Sequence, residues 1–231
     1  MNLTRTSTVD QALQGLTRTA ALTPAGANAL RELIAQVERY PATALVSSIA
    51  SSVRLKWLIS GWACELRVLP DGRRQIFSFV LPGDVLVSRP VNATPCSVMA
   101  ITSLECVDLS QTLTRARDAD RAEIWRAMNH VLSLTHERRY EDIIRLGRRS
   151  AIERLADLLI ELHDRLDILG MVEHRSFYLP VTQKDLADAL GLSAVQVNRS
   201  LRALRLRNLA VFRFGRVSGF DRSGLLGVCG G

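Results

Sequence analysis

Between Ser193 and Arg216 the chain carries six arginines and no acid. On a compact folded element such a run of like charge repels itself unless a polyanion is near, so a phosphate backbone is the natural partner. No Ser/His/Asp set, phosphate-binding loop or metal-ligand spacing occurs in the sequence, which argues against an enzyme and against a metal site. Four cysteines, Cys64, Cys96, Cys106 and Cys229, form no CxxC pair, and a cytosolic setting argues against structural disulfides. Cys64, Cys96 and Cys106 read as small buried side chains or as redox-responsive thiols, and Cys229, in a Gly-rich tail, as an oxidisable thiol or an inert residue.

The arginines need elements to present them. Thr182-Gln183-Lys184-Asp185 is a capping-box pattern that opens a helix, Leu186 and Leu190 give that helix an apolar face, and Gly191 suits a left-handed ending. Ser193 caps a second helix in which Val197, Leu201 and Leu204 share one stripe. Val195, Arg199 and Arg202 lie opposite, with Gln196 and Asn198 on the flanks. Two short helices joined by a glycine-containing turn form a helix-turn-helix. Leu209 to Phe220, alternating around Phe214-Gly215-Arg216, reads as a hairpin wing.

At 231 residues and 47% hydrophobic, with a net charge of +7, the chain is long enough for two modest domains. Its start lacks the apolar core of a signal peptide, and no stretch reaches the roughly 18 unbroken apolar residues of a membrane span, so a cytoplasmic protein is expected. Residues 3–40 read as helical, with Thr23-Pro24 as a helix start. From about Ala44 to Leu109, short runs of Val, Ile, Leu and aromatics are broken at Ser60-Gly61, Pro70-Asp71-Gly72 and Pro82-Gly83-Asp84. That pattern predicts a small antiparallel barrel or jelly roll, with Asp71 and Gly72 both taking positive φ in a hairpin turn. One long helix is expected over 118–147. Its stripe of Ile124, Met128 and Val131 either packs on the barrel or forms a two-helix dimer seam; only this first half is apolar enough for a seam, since Arg138, Asp142 and Arg145 follow. An amphipathic helix from Ser150 to about Leu169 completes the support of the helix-turn-helix. The expected fold class is α+β: a β-roll with an N-terminal helix over 1–117, the long helix over 118–147 and a winged helix-turn-helix over 148–231.

With these pieces placed, the chain resembles the CRP/FNR family of bacterial transcription regulators over most of its length. The resemblance is carried by Ser60-Gly61-Trp62-Ala63, Leu69-Pro70-Asp71-Gly72-Arg73-Arg74-Gln75-Ile76 and Leu81-Pro82-Gly83-Asp84, then by Thr182-Gln183 through Leu209 and by Phe220-Asp221-Arg222. It implies a cyclic-nucleotide-binding-like β-roll sensor and a homodimer joined by the long helix through Ile124, Met128 and Val131. It also implies a C-terminal domain that binds a palindromic site in double-stranded promoter DNA, with RNA polymerase as a further partner. Cyclic-nucleotide-binding members carry a Gly-Glu pair after the Pro-Gly-Asp turn and an Arg for the cyclic phosphate. Here those places hold Val87-Ser88 and Thr94, with Arg89 nearby and followed by Pro90. A buried phosphate without a guanidinium partner is not repaid its desolvation, so cyclic AMP is not expected. Oxygen-sensing members hold an iron-sulfur cluster on N-terminal cysteines, and none here precedes Cys64. Haem-binding members use axial His or Cys, whereas His130, His136, His163 and His174 all follow the barrel and read as surface or packing residues. No cofactor is expected.

Under this resemblance the helix from Ser193 enters the major groove. Arg199 is the expected base contact, because its fork bonds bidentately to guanine O6 and N7; Gln196 reads adenine or binds phosphate, and Val195 touches a thymine methyl. Thr182, Gln183, Ser193, Asn198, Arg202, Arg213 and Arg216 are expected phosphate contacts; for Arg202 and Arg205 plain solvation competes. Many members place Arg-Glu after the capping serine, and Ala194-Val195 here points to a different operator sequence. The rival class is an effector-binding or protein-interaction module whose winged helix does not touch DNA.

Overall fold

A computed structural model describes residues 3–20, 22–34, 36–46, 54–88 and 96–230. Arg89, Pro90 and Thr94, used in the argument about cyclic AMP, lie outside the described residues. The chain divides into two compact units: Met1–Arg67 with Ser78–Glu137, and Val68–Phe77 with Arg138–Gly231.

Among the described residues of the first unit, helices α1 (Leu3–Ala20) and α2 (Pro24–Leu33) precede seven strands, β1 (Glu38–Tyr40), β2 (Arg54–Ser60), β3 (Ala63–Val68), β4 (Arg74–Val80), β5 (Val85–Ser88), β6 (Ser97–Ala100) and β7 (Leu104–Asp108), with the tip of the β3–β4 hairpin falling in the second unit, and a short helix α3 (Leu109–Thr114) follows. The strands form two sheets, ordered β1-β7-β2-β5 and β4-β3-β6. Thr23 caps α2 by accepting from the Gly26 amide, with Pro24 in the first turn. The expected helical stretch to Tyr40 is corrected at its end, because Glu38–Tyr40 is a strand paired with β7. A period of two brings Glu38 and Tyr40 to the same side, where Lys56 Nζ donates to Glu38 Oε2 and to the Tyr40 hydroxyl, each at 2.6 Å. Burial alone would lower the Lys56 pKa, but these bonds outweigh it and hold it raised.

The β3–β4 hairpin also differs from expectation. The Gly72 amide donates to Leu69 O (2.9 Å), Gly72 has φ +81°, and Asp71 stays out of the left-handed region. Its carboxylate instead accepts from the Arg73 amide at 3.0 Å. Proline at the first central position favours a turn of ordinary hand closed by a glycine, which leaves one positive φ instead of two.

The long helix α4 (Asp118–Arg148) runs 31 residues. Ile124, Met128 and Val131 are buried in a core shared with Leu13, Leu16, Leu30, Trp57 and Ile59. Of the two readings of this stripe, the single chain has the packed one, and these side chains are closed to a partner helix there. The chain's own α1, α2 and β2 consume the stripe, and the exposed large apolar side chains of α4 are Trp125, Tyr140, Ile143 and Ile144. No helix among the described residues is long and apolar enough to cross a membrane.

The second unit holds the end of α4, α5 (Ala151–Ile168), β8 (Val172–Glu173), β9 (Ser176–Tyr178), α6 (Gln183–Leu190), α7 (Ala194–Leu206), β10 (Val211–Arg213), β11 (Arg216–Ser218) and α8 (Arg222–Val228). Helix α5 packs on α6, α7 and α8 through Leu155, Leu159, Leu162 and Leu166, all buried. Where α4 meets α5, Arg145 is 4% exposed and donates to Asp142, to Asp157 Oδ2 at 2.7 Å and to Glu161 Oε2 at 2.7 Å. Desolvation pushes the Asp142 carboxyl up to about 6 despite its guanidinium partner, since that one cation is shared among three anions. Burial acts on Glu161 in the same sense, but Arg165 and Arg145 outweigh it and hold its pKa below the usual value. The hairpin tip Val68–Phe77 also belongs to this unit: Arg74 Nη2 donates to Asp185 Oδ1 at 3.0 Å and to Asp188 Oδ2 at 2.6 Å.

Candidate nucleic-acid interface

Two capping boxes in succession build the helix-turn-helix. The Thr182 amide donates to Asp185 Oδ2 at 2.9 Å while the Asp185 amide donates to Thr182 Oγ1 at 3.1 Å. Gly191 then takes φ +61°, ψ 38° and donates its amide to Ala187 O, ending α6 in a left-handed cap. Two residues later Ser193 begins α7, and its amide and hydroxyl both donate to Gln196 Oε1, at 2.9 and 3.0 Å. Val197 and Leu204 are fully buried beneath α7, and its opposite stripe of Val195, Arg199 and Arg202 is exposed. Helix spacing accounts for that division, since positions three and four apart share a face.

The wing is a two-residue hairpin. Val211, Phe212 and Arg213 pair with Ser218, Val217 and Arg216, and Phe214 and Gly215 form the turn with φ of +50° and +69°. Val217 is buried against the unit, while Arg213, Phe214 and Arg216 are exposed. The Leu179 amide donates to Gly215 O at 2.8 Å and holds the turn to the end of β9.

All ten residues expected to contact DNA, Thr182, Gln183, Ser193, Val195, Gln196, Asn198, Arg199, Arg202, Arg213 and Arg216, are exposed and lie in this unit. The side chains are not equally free to act. The Gln196 carbonyl is engaged by Ser193, so only its amide NH₂ remains to donate; the Ser-x-x-Gln spacing is the sequence signal for this. Asn198 Nδ2 donates to Gln183 Oε1 at 3.4 Å, joining two expected phosphate contacts across the turn. Residue type alone does not single out Phe214, although it stands between the two wing arginines. The four cysteines are dispersed: Cys64 and Cys106 are buried as expected, Cys96 is exposed rather than buried, and Cys229 is half-buried. Burial pushes the Cys106 thiol up to about 12, which withholds the thiolate that redox chemistry needs. Burial also raises Cys229. Among the described residues no group of three or more His, Cys, Asp or Glu could hold a metal ion.

Comparison with known proteins agrees with this architecture. The model of a Crp-like helix-turn-helix domain matches residues 153–227. The chain is 32% identical over 200 residues to the transcriptional activatory protein AadR of Rhodopseudomonas palustris, covering 87% of this chain and 83% of that protein. It is 30% identical over 155 residues to the nitrogen fixation regulation protein FixK of Bradyrhizobium diazoefficiens, covering 67% and 65%. Among solved structures, FixK2 from Bradyrhizobium japonicum matches with a TM-score of 0.67 at 23% identity, covering 84% of this chain and 96% of that one. A transcriptional regulator from Thermus thermophilus matches at 0.63 and 16% identity, covering 85% and 99%. At these identities the two structures speak for the fold alone.

Proposed function

Because the chain belongs to the CRP/FNR family and is a DNA-binding transcription regulator, we propose that it acts as a homodimer on a two-fold symmetric promoter site, each copy laying α7 in the major groove. The observation that carries this reading is the division of α7 into a buried stripe, Val197 and Leu204, and an exposed one, Val195, Arg199 and Arg202. Such a helix is anchored on one side and presents a base-reading fork on the other. Arg199 reads guanine, Val195 packs on a thymine methyl, and Gln196 contributes through its NH₂ group alone. Arg202, Arg213 and Arg216 neutralise phosphates, and Thr182, Gln183, Ser193 and Asn198 flank them.

The dimer seam moves to the second half of α4. Tyr140, Ile143 and Ile144 are spaced to share one face, and all three are exposed in the single chain. Activation, the role in the name of the Rhodopseudomonas relative, is the direction we assign, and it calls for contact with RNA polymerase. Selection of bound fragments from a random DNA pool tests the reading. Wild type should enrich a palindrome, and Arg199→Ala should lose about 1–3 kcal/mol and the preference at one base pair per half-site. Enrichment of no motif by the wild-type chain would refute it.

A further inference from the structure

The tip of the wing has a residue that the fold does not need. Phe214 is 102% exposed and sits at φ +50°, a left-handed conformation that Asn, Asp or Gly adopts readily and a bulky side chain resists. It covers no core, so neither packing nor backbone preference accounts for an aromatic there. The residues flanking it are also unfavourable in isolation. Arg213 and Arg216 are directly opposed across the hairpin, both exposed, and like charges so placed repel. The next strand continues the row with exposed Tyr178, which faces Arg216. Two facing cations around a fully exposed aromatic suit an occupant that is anionic on both sides and apolar between them.

Duplex DNA has that arrangement at its minor groove, whose phosphate walls flank stacked base edges. The groove is about 6 Å wide, too narrow for a two-stranded ribbon but open to one side chain at its tip. We propose that Phe214 is an apolar wedge that enters the minor groove beside the half-site and loosens a base step, while Arg213 and Arg216 hold the phosphates on either side. Aromatic and aliphatic wedges act this way in proteins that kink DNA. The proposal rests on the reading of this chain as a DNA-binding regulator and adds a contact that reads the deformability of the flank rather than its base edges.

The test uses the full-length chain and a selected operator carrying 2-aminopurine at successive flank positions, a base whose fluorescence rises when it unstacks. Wild type should raise the emission at one step per half-site. Phe214→Asn, which suits the turn, should fold with an unchanged or higher denaturation midpoint, abolish that rise and weaken binding on the order of tenfold. Its dependence of log K on log salt should match wild type, because no charge is removed. Equal affinity and equal emission for wild type and Phe214→Asn would overturn the wedge while leaving the DNA-binding reading intact. The same equality with reduced transcription by purified RNA polymerase would overturn it in favour of a protein contact. A wild-type chain that binds no DNA would remove the reading on which the wedge stands, and the wedge with it.

Discussion

Replacing Arg145 by methionine removes the one guanidinium that serves three carboxylates at the α4–α5 corner while keeping most of the side-chain volume. The arginine is 4% exposed and Asp142, Asp157 and Glu161 are each about one-fifth exposed, so solvent can re-hydrate the acids only in part. Residual help comes from Arg149, 3.4 Å from Asp157, from Arg165, 3.0 Å from Glu161, and from Arg138 and Arg139 nearby. Breaking a buried ion pair by deleting one partner costs about 3–5 kcal/mol, and that is the loss expected for the second unit at pH 7. At a denaturant slope near 2 kcal/mol per molar it lowers the urea midpoint by about 2 M. The tryptophans supply an internal control, because Trp57, Trp62 and Trp125 all lie in the first unit. Their fluorescence transition should stay in place while a far-UV circular dichroism phase moves. Combining Arg145→Met with Asp142→Asn, Asp157→Asn and Glu161→Gln should restore most of the loss, since the destabilisation comes from unpaired charge rather than from lost volume. A single Arg145→Met variant that unfolds within about 1 kcal/mol of wild type would refute the reasoning.

Three further outcomes can be checked. The folded-state pKa of Asp142, about 6, lies above its ordinary 3.8, so this residue contributes stability at pH below about 4 and loses that contribution as pH rises through 6. Asp142→Asn should therefore be more stable than wild type at pH 7 and indistinguishable at pH 4; a constant difference across that window in urea titrations would count against it. Ile143→Glu should weaken self-association by roughly 3 kcal/mol, about a hundredfold in Kd, because each side chain is buried twice in a symmetric seam. Sedimentation equilibrium reads this directly, and an unaltered mass distribution would place the seam elsewhere. Arg213→Ala should weaken all DNA about equally and flatten the log K against log salt plot by about one unit per copy, as expected for one lost phosphate contact; an unchanged slope would take Arg213 off the backbone.

Much of the second unit is legible in the sequence because its signals are local. Thr182 with Asp185, Gly191, and Ser193 ahead of the Val197–Leu204 stripe each act within one or two turns, so spacing alone locates both helices and the turn between them. The cap formed by Gln196 is equally local and shows that a side chain suited to reading a base can already be spoken for. Glu38 to Tyr40 reads as helix from its own residues because the strand it pairs with, Leu104 to Cys106, and the lysine that joins its side chains, Lys56, both lie far along the chain. Asp71-Gly72 marks the hairpin correctly but not its backbone path, since Pro70 selects a turn of different hand.

The sequence by itself determined where the basic charge of the second unit would gather, because six arginines on a capped helix and a hairpin admit few other arrangements. Only the tertiary structure decided the fate of the long helix. An apolar stripe announces that it will be buried but not against what, and here Ile124, Met128 and Val131 are taken up by helices and a strand of the same chain. That leaves Tyr140, Ile143 and Ile144 exposed, in a half of the helix whose polar neighbours make it look unsuited to a seam. Burial depends on partners distant in sequence, and it is burial that turns Arg145 from one charged residue among many into the pivot of a corner.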